Sequence, residues 1–337
     1  MDDRITLDYG SGGAKTSELI ESVLLPAFNN QALSRLGDGA LLDGSRKLVF
    51  STDSFVVSPW KFPGGDIGKL SVCGTINDLC MAGGTPQYLS LSFILEEGFL
   101  FSDFRRIVSS IAEEAKTAGV SIVTGDTKVV EAGKGDGIYI NTAGIGFQRA
   151  DLPGKEGIRP GDAVLVSGSI GCHGAAVMMA RSGLLKEDSP LRSDCRPLHR
   201  VSAAAIDAAA DSSSLRILRD PTRGGIATTL NEFTENMPFS IELDETAIPV
   251  DPAVEAACDM LGLDPLYCAC EGRMLAICDS DSADTILEAI RQIPGGEDAA
   301  RIGTVTEELP GKVLLKTSIG GRRILPKLTG LQLPRIC

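Results

Sequence analysis

From Leu70 to Leu95 the chain carries one charged residue, Asp78. A segment so poor in charge cannot lie as a surface layer, so whatever it forms must be covered on nearly every side. With 337 residues the chain can supply that cover. It is too long for one small domain, comfortable for two, and needs no disulfide or metal staples. The Asp78 carboxylate, desolvated in such a run, needs a partner that compensates its burial.

Hydrophobic residues are 43% and charged residues 23% of the chain, as in ordinary soluble globular proteins. No apolar run of about eighteen residues marks a membrane span. Met1-Asp2-Asp3-Arg4 lacks the basic and apolar regions of a secretory leader, so a cytoplasmic location and nine reduced cysteines are expected. The balance of 32 basic against 45 acidic residues leaves a net charge of −13, which speaks against a nucleic-acid partner. An acidic protein that binds a polyphosphate must supply cations locally, from metal ions or placed Lys and Arg.

The clearest break in the pattern is the Gly-, Pro- and charge-rich stretch from Arg149 to Asp162, between two apolar β-like runs. It divides the chain into an N-terminal unit, 1–150, and a C-terminal unit, 151–325. In the first, 47–51, 120–124 and 138–147 read as strands, and 66–82 and 102–118 as helices. In the second, 163–167, 215–218, 274–278 and 313–316 read as strands, and 199–210, 222–235 and 283–292 as helices. Each half mixes the two, an α/β or α+β pattern. Residues 326–337, with little periodicity, read as an extended tail ending in Cys337 that could reach about 40 Å.

Gly10-Ser11-Gly12-Gly13-Ala14-Lys15-Thr16 is not a P-loop, because Ala14 stands where that loop requires glycine. Its backbone N–H groups could still cover phosphates, although a flexible turn is the commoner reading. The cysteine spacings do not fit a structural zinc site. Asp38, in Gly37-Asp38-Gly39, and Asp53 and Asp126, each read as following a strand, join Asp78 as oxygen donors. Singly each reads as a turn or cap residue; together they suit Mg²⁺ shared with substrate phosphates. Asp220-Pro221-Thr222-Arg223-Gly224-Gly225 joins a strand to a helix, where N–H groups and Arg223 favour an anion, or where an ordinary cap would sit. Glu271 borders an apolar strand and reads either as a base or as a strand-edge charge. His173 reads as a satisfied loop histidine.

Gly10-Ser-Gly-Gly13, Ser51-Thr-Asp-Ser54, Phe62-Pro-Gly-Gly65 with Ile67-Gly-Lys69, Gly74-Thr-Ile-Asn-Asp78, Phe93-Ile-Leu-Glu-Glu-Gly98, Val123-Thr-Gly-Asp-Thr-Lys-Val-Val130, Asp220-Pro-Thr-Arg-Gly-Gly225 and Pro334-Arg-Ile-Cys337 together resemble the HypE family of hydrogenase maturation factors, the carbamoyl dehydratases. The likeness spans essentially the whole chain. All but the tail are motifs shared with a wider ATP-dependent superfamily that includes aminoimidazole ribonucleotide synthetase, thiamine-monophosphate kinase and selenophosphate synthetase. The resemblance implies a two-domain aminoimidazole ribonucleotide synthetase-like fold, with N-terminal domains closing a dimeric β-barrel and a flexible tail. It implies ATP and Mg²⁺ at Asp38, Asp53, Asp78 and Asp126, with Lys69, Asn77 and Arg223 also on the nucleotide. Cys337 would carry a carbamoyl group received from the carbamoyltransferase HypF, dehydrate it to a thiocyanate, and pass cyanide to iron on the HypC and HypD scaffold. Glu271 and Lys134, the latter in the loop before the strand at 138, would work beside the tail. Gly171-Cys172-His173-Gly174 has Cys where the family pattern has Asp, so His173 receives no role.

Two other readings stand beside this one. A superfamily kinase or synthetase acting on a free small molecule leaves Cys337 without a role, and a non-catalytic thiol carrier leaves the aspartates without one.

Overall fold

The computed structural model describes residues 3–36, 39–185, 189–211, 213–329 and 335–337. In chain order its elements are α1 (Ala14–Leu19), α2 (Leu25–Phe28), β1 (Leu48–Phe55), β2 (Lys61–Phe62), β3 (Gly65–Asp66), α3 (Ile67–Met81), β4 (Gly84–Glu96), α4 (Phe101–Ala118), β5 (Ser121–Val130) and β6 (Ile138–Gln148). These are followed by β7 (Ala163–Val166), α5 (Cys172–Arg181), α6 (His199–Ala208), β8 (Leu215–Arg219), α7 (Gly225–Thr234), β9 (Ser240–Asp244), α8 (Pro252–Leu261), β10 (Leu275–Cys278), α9 (Ala283–Arg291), β11 (Ala300–Thr306), β12 (Val313–Lys316) and β13 (Arg322–Ile324).

The first half is a four-stranded sheet in the order β1-β6-β4-β5, antiparallel except for the β4/β5 pair. The charge-poor run supplies its two central pieces, α3 and β4. Asp66 caps α3 by accepting the Lys69 N–H at 3.0 Å, and nearly every side of the helix is buried, against α4, the sheet and the second half of the chain. Gly144 lets α3 lie close, since a Cβ there would meet Leu79 and Thr75 at 2.8 and 2.9 Å. The other face of the sheet is open. Leu48, Phe50 and Ile94 stand on it 54%, 68% and 44% exposed, an unusual display for strands in a folded chain.

The second half is a seven-stranded sheet, β13-β12-β9-β11-β7-β10-β8, in which only β12 and β9 run parallel. β7 and β10 are buried at every residue, because α9 covers one side and α7 the other. The core of the first half continues across the junction into Ala163, Leu165, Leu198 and Val201, so the two sheets share packing. No helix among the described residues is long and apolar enough to cross a membrane.

Candidate active site

Four segments converge where the halves meet. β1 is longer than its apolar stretch suggests, because its pairing with β6 continues as far as Phe55 opposite Ile140. Asp53 therefore lies within the strand and not after it, with its side chain toward α3, as does Ser51. Ser51 Oγ donates to Asp78 Oδ2 at 2.6 Å, which anchors the one charge of the buried helix. The turn from β8 to α7 brings in Asp220 and Arg223. It closes tightly through Gly225, where φ is +57° and a Cβ would meet the carbonyl oxygens of Leu266 and Cys268 at 2.6 and 2.7 Å. The fourth segment, 268–273, carries Glu271.

These groups repel one another. Burial pushes the Asp53 carboxyl up, with Asp78 adding to the effect against the Ser54 N–H and Arg223. Asp220 is pushed up to about 7 by burial, then by Asp78 and Asp53. Such crowded carboxylates are the donor set a hard cation relieves. No three metal-ligating groups among the described residues converge into a ready cage.

Glu271 is 1% exposed, and its Oε1 has no hydrogen-bond partner. Its backbone is fixed: the N–H groups of Glu271 and Gly272 donate to Asp194 at 3.3 and 3.2 Å, and a Cβ on Gly272 would lie 1.9 Å from the Asp194 carbonyl oxygen. Burial, followed by Cys195, Asp220, Asp194 and Asp53, holds its carboxyl well above the usual range. A buried carboxyl with one oxygen left without a hydrogen bond, and held above its usual range, marks a candidate functional group.

The end of the chain lies close by. The last residues run antiparallel beside the segment after β1: Val56 N–H donates to Cys337 O at 3.3 Å and Ser58 N–H to Arg335 O at 3.2 Å. Ile336 is buried, and Arg223 Nε donates to Cys337 Sγ at 3.3 Å. Burial and then Glu271 push the thiol up to about 12, against the opposing Arg223.

The other sequence candidates sit at varying distances from this centre. Asn77 is an interdomain pin: its Nδ2 donates to the carbonyl oxygens of Glu271 and Arg196 at 3.2 and 3.3 Å, and its Oδ1 accepts the Leu198 N–H at 2.8 Å. Lys69 Nζ pairs with Glu114 at 3.1 Å. Lys134 is exposed, and its loop meets the tail through Asp136, which pairs with Arg335. Asp126 lies within β5 rather than after a strand, because that strand runs on to Val130 beside β4. It stands opposite Ser92 on the open face of the sheet, whereas Asp53 points to the other face. Within one chain it is therefore separate from Asp53 and Asp78. It borders a cavity of about 320 Å³ formed with Gly10, Gly12, Thr16 and Lys128. Asp38 lies outside the described residues. Asp220 was legible only as part of a helix entry; its burial beside two other carboxylates depends on the halves meeting.

Residues 36–148 match the N-terminal domain, and 159–316 the C-terminal domain, of the AIR synthase related proteins. A two-domain mixed α/β fold with a carboxylate-lined junction thus places the chain in that class. Carbamoyl dehydratase HypE of Cupriavidus necator is 50% identical over 99% of this chain and 95% of its own length. The crystal structure of hydrogenase maturation protein HypE in complex with ATP superposes with a TM-score of 0.93 at 45% identity, covering 98% of this chain and 99% of that one. The crystal structure of a HypE–HypF complex matches with a TM-score of 0.79 at 43% identity, over 94% and 100% of the two chains. The chain belongs to the HypE family of carbamoyl dehydratases.

Proposed function

We propose that this chain dehydrates a carbamoyl group on its own Cys337 at the expense of ATP, yielding a thiocyanate that supplies cyanide for the iron centre of a nickel-iron hydrogenase. The observation that carries the reading is the seating of Cys337 Sγ against Arg223, with the buried Glu271 carboxyl, whose Oε1 has no hydrogen-bond partner, among the groups that act on it. A superfamily kinase acting on a free small molecule would need that place for its substrate, and a passive carrier would have no use for the carboxylates.

The chemistry follows from what an amide lacks. Its oxygen is a poor leaving group until phosphorylated; transfer of the γ-phosphoryl makes a C–O–P bond, and loss of both N–H protons with departure of phosphate leaves S–C≡N. Asp53 and Asp78, with Asp220 buried beside them, would hold Mg²⁺ together with the triphosphate, and the ion would supply neutralisation of the transferring phosphoryl charge. Glu271, ionised once the cation and substrate are in place, would take a proton from the amide nitrogen. Arg223 would orient the thiol-borne group. Lys69 and Asn77, engaged by Glu114 and by the 196–198 segment, serve in this reading as supports for α3; Lys134, exposed on the loop that reaches the tail, is assigned to the tail's approach.

The open, apolar sheet face between the end strands β1 and β5 suits closure with a second copy into a β-barrel. Such a homodimer would bring the glycine-lined cavity and Asp126 of one copy to Asp53 and Asp78 of the other, completing the ATP site. The carbamoyl group would come from HypF and the cyanide would go to the HypC and HypD scaffold, in the cytoplasm, with the tail released for each exchange.

The test is intact mass spectrometry. Incubation with a HypF carbamoylation system should add one carbamoyl group to Cys337, and ATP should then remove the mass of one water. Cys337→Ala should bind nucleotide and form no adduct; a thiocyanate on another cysteine refutes the reading.

A further inference from the structure

His173, on the first turn of α5, is fully buried and touches no reacting group, yet its side chain contacts the tail. Its Nε2 lies 2.8 Å from the carbonyl oxygen of Ile336, the residue before the reacting cysteine, and its Nδ1 lies 2.8 Å from Ser193 Oγ. The Cys195 N–H donates to that same Oγ at 3.0 Å.

These contacts define where the proton sits. A carbonyl oxygen can only accept, so Nε2 carries the hydrogen and donates. Burial lowers the imidazole below its ordinary range, against the opposing Ile336 carbonyl and Asp194, so the ring is neutral and its bare Nδ1 accepts from the Ser193 hydroxyl. Phe62 meets the ring edge-on, 5.2 Å away at 88°, and Ser193 N–H donates to Pro63 O at 2.8 Å, so the N-terminal half braces the arrangement. All three terminal carbonyls are then taken: Arg335 O by Ser58 N–H and Arg181, Ile336 O by His173, and Cys337 O by Val56 N–H. The His173 bond is the one made by a rigid, buried, neutral side chain adjacent to the sulfur.

We propose that His173 is a positioning residue that, through the Ile336 carbonyl, fixes Cys337 Sγ before Arg223 and Glu271 during dehydration. It is an uncharged latch: strong enough to seat the tail, and carrying no ion pair that would have to be broken to release it. The catalytic part of this inference rests on the reaction proposed above; the hydrogen bond does not.

The discriminating pair is His173→Met, which keeps bulk without a donor, and His173→Gln, whose amide nitrogen reproduces the Nε2 position. In the full chain, His173→Met should speed amide exchange at Val56 and Ser58 and slow single-turnover water loss from carbamoylated Cys337, each by roughly tenfold, the loss of one buried hydrogen bond. ATP affinity should be unchanged, and His173→Gln should recover most of both effects. Wild-type exchange and turnover in His173→Met overturns the proposal, as does an equal defect in folded His173→Gln. Should His173→Met not fold, the wild-type imidazole nitrogen spectrum decides, since the chain has only two histidines. A neutral Nε2–H tautomer that does not titrate between about pH 6 and 8 is expected; an Nδ1–H tautomer overturns the proposal. Absence of any water loss from wild-type Cys337 refutes the proposed reaction, while the exchange measurement still decides the latch.

Discussion

Alkylation of Cys337 measures how firmly the tail is seated. At about pH 8 a thiol of ordinary acidity is about one-quarter thiolate. The seated Cys337, pushed up to about 12, is ionised to about one part in ten thousand at that pH. Greater basicity makes each of its thiolates about thirtyfold more nucleophilic, which leaves the seated thiol roughly eightyfold protected. Arg335→Ala removes the Arg335 Nε bond to Val56 O, 3.0 Å, and the ion pair with Asp136. One hydrogen bond and one exposed ion pair together contribute about 2 kcal/mol, a shift of about thirtyfold toward release. Because seating raises the thiol's pKa, the seated state is favoured below the free thiol's pKa and weakens as pH climbs from there toward about 12. Iodoacetamide kinetics followed by peptide mass spectrometry can isolate Cys337, since the other eight cysteines are buried. The expected results are slow wild-type labelling and labelling in Arg335→Ala faster by up to about thirtyfold. A wild-type rate equal to that of an unstructured peptide thiol, or no change in Arg335→Ala, refutes the reasoning.

Asp78→Asn should abolish Mg²⁺-dependent ATP turnover while its thermal midpoint stays the same or rises, because the amide oxygen still accepts from Ser51 and one mutual repulsion disappears; phosphate release and calorimetry check this. Sedimentation at micromolar concentration should give a dimer, and mixing Asp78→Asn with Asp126→Asn chains should restore turnover if the site is shared; a monomer, or no restoration, refutes the shared site. Asn77→Leu strands buried donors and acceptors on both halves and should cost roughly 2–4 kcal/mol in urea unfolding.

Segments with a clean period were readable from sequence: α4 and α9 show one apolar face each, and β12 is a short apolar run between breakers. β4, the longest strand among the described residues, was not read although Leu89-Ser90-Leu91-Ser92-Phe93 alternates as its burial does, because Gly84 and Pro86 at its start read as breakers. α5, α8, β9 and β11 were missed as well; their short, mixed sequences are shaped by neighbours rather than by local propensity. The site divides along the same line. That Asp78 needs a partner can be read from its uncharged surroundings, and the partner, Ser51, cannot. The grouping of Asp220 with Asp53, the pinning role of Asn77 and the grip of His173 on Ile336 all depend on long-range contacts between the halves, to which linear spacing is blind.

The pairing of the last residues with Val56 and Ser58 makes the tail a tethered ligand for its own groove. A ligand tethered in this way meets its groove at an effective concentration on the order of millimolar. Any protein that loads or unloads Cys337 therefore competes with an intramolecular rival about a thousandfold more concentrated than itself at micromolar levels. Such a partner must either grip the tail very tightly or remain bound beside the groove and take the tail whenever it comes free, and in the second case the rate of exchange is set by how often the tail leaves, not by how fast the two proteins meet.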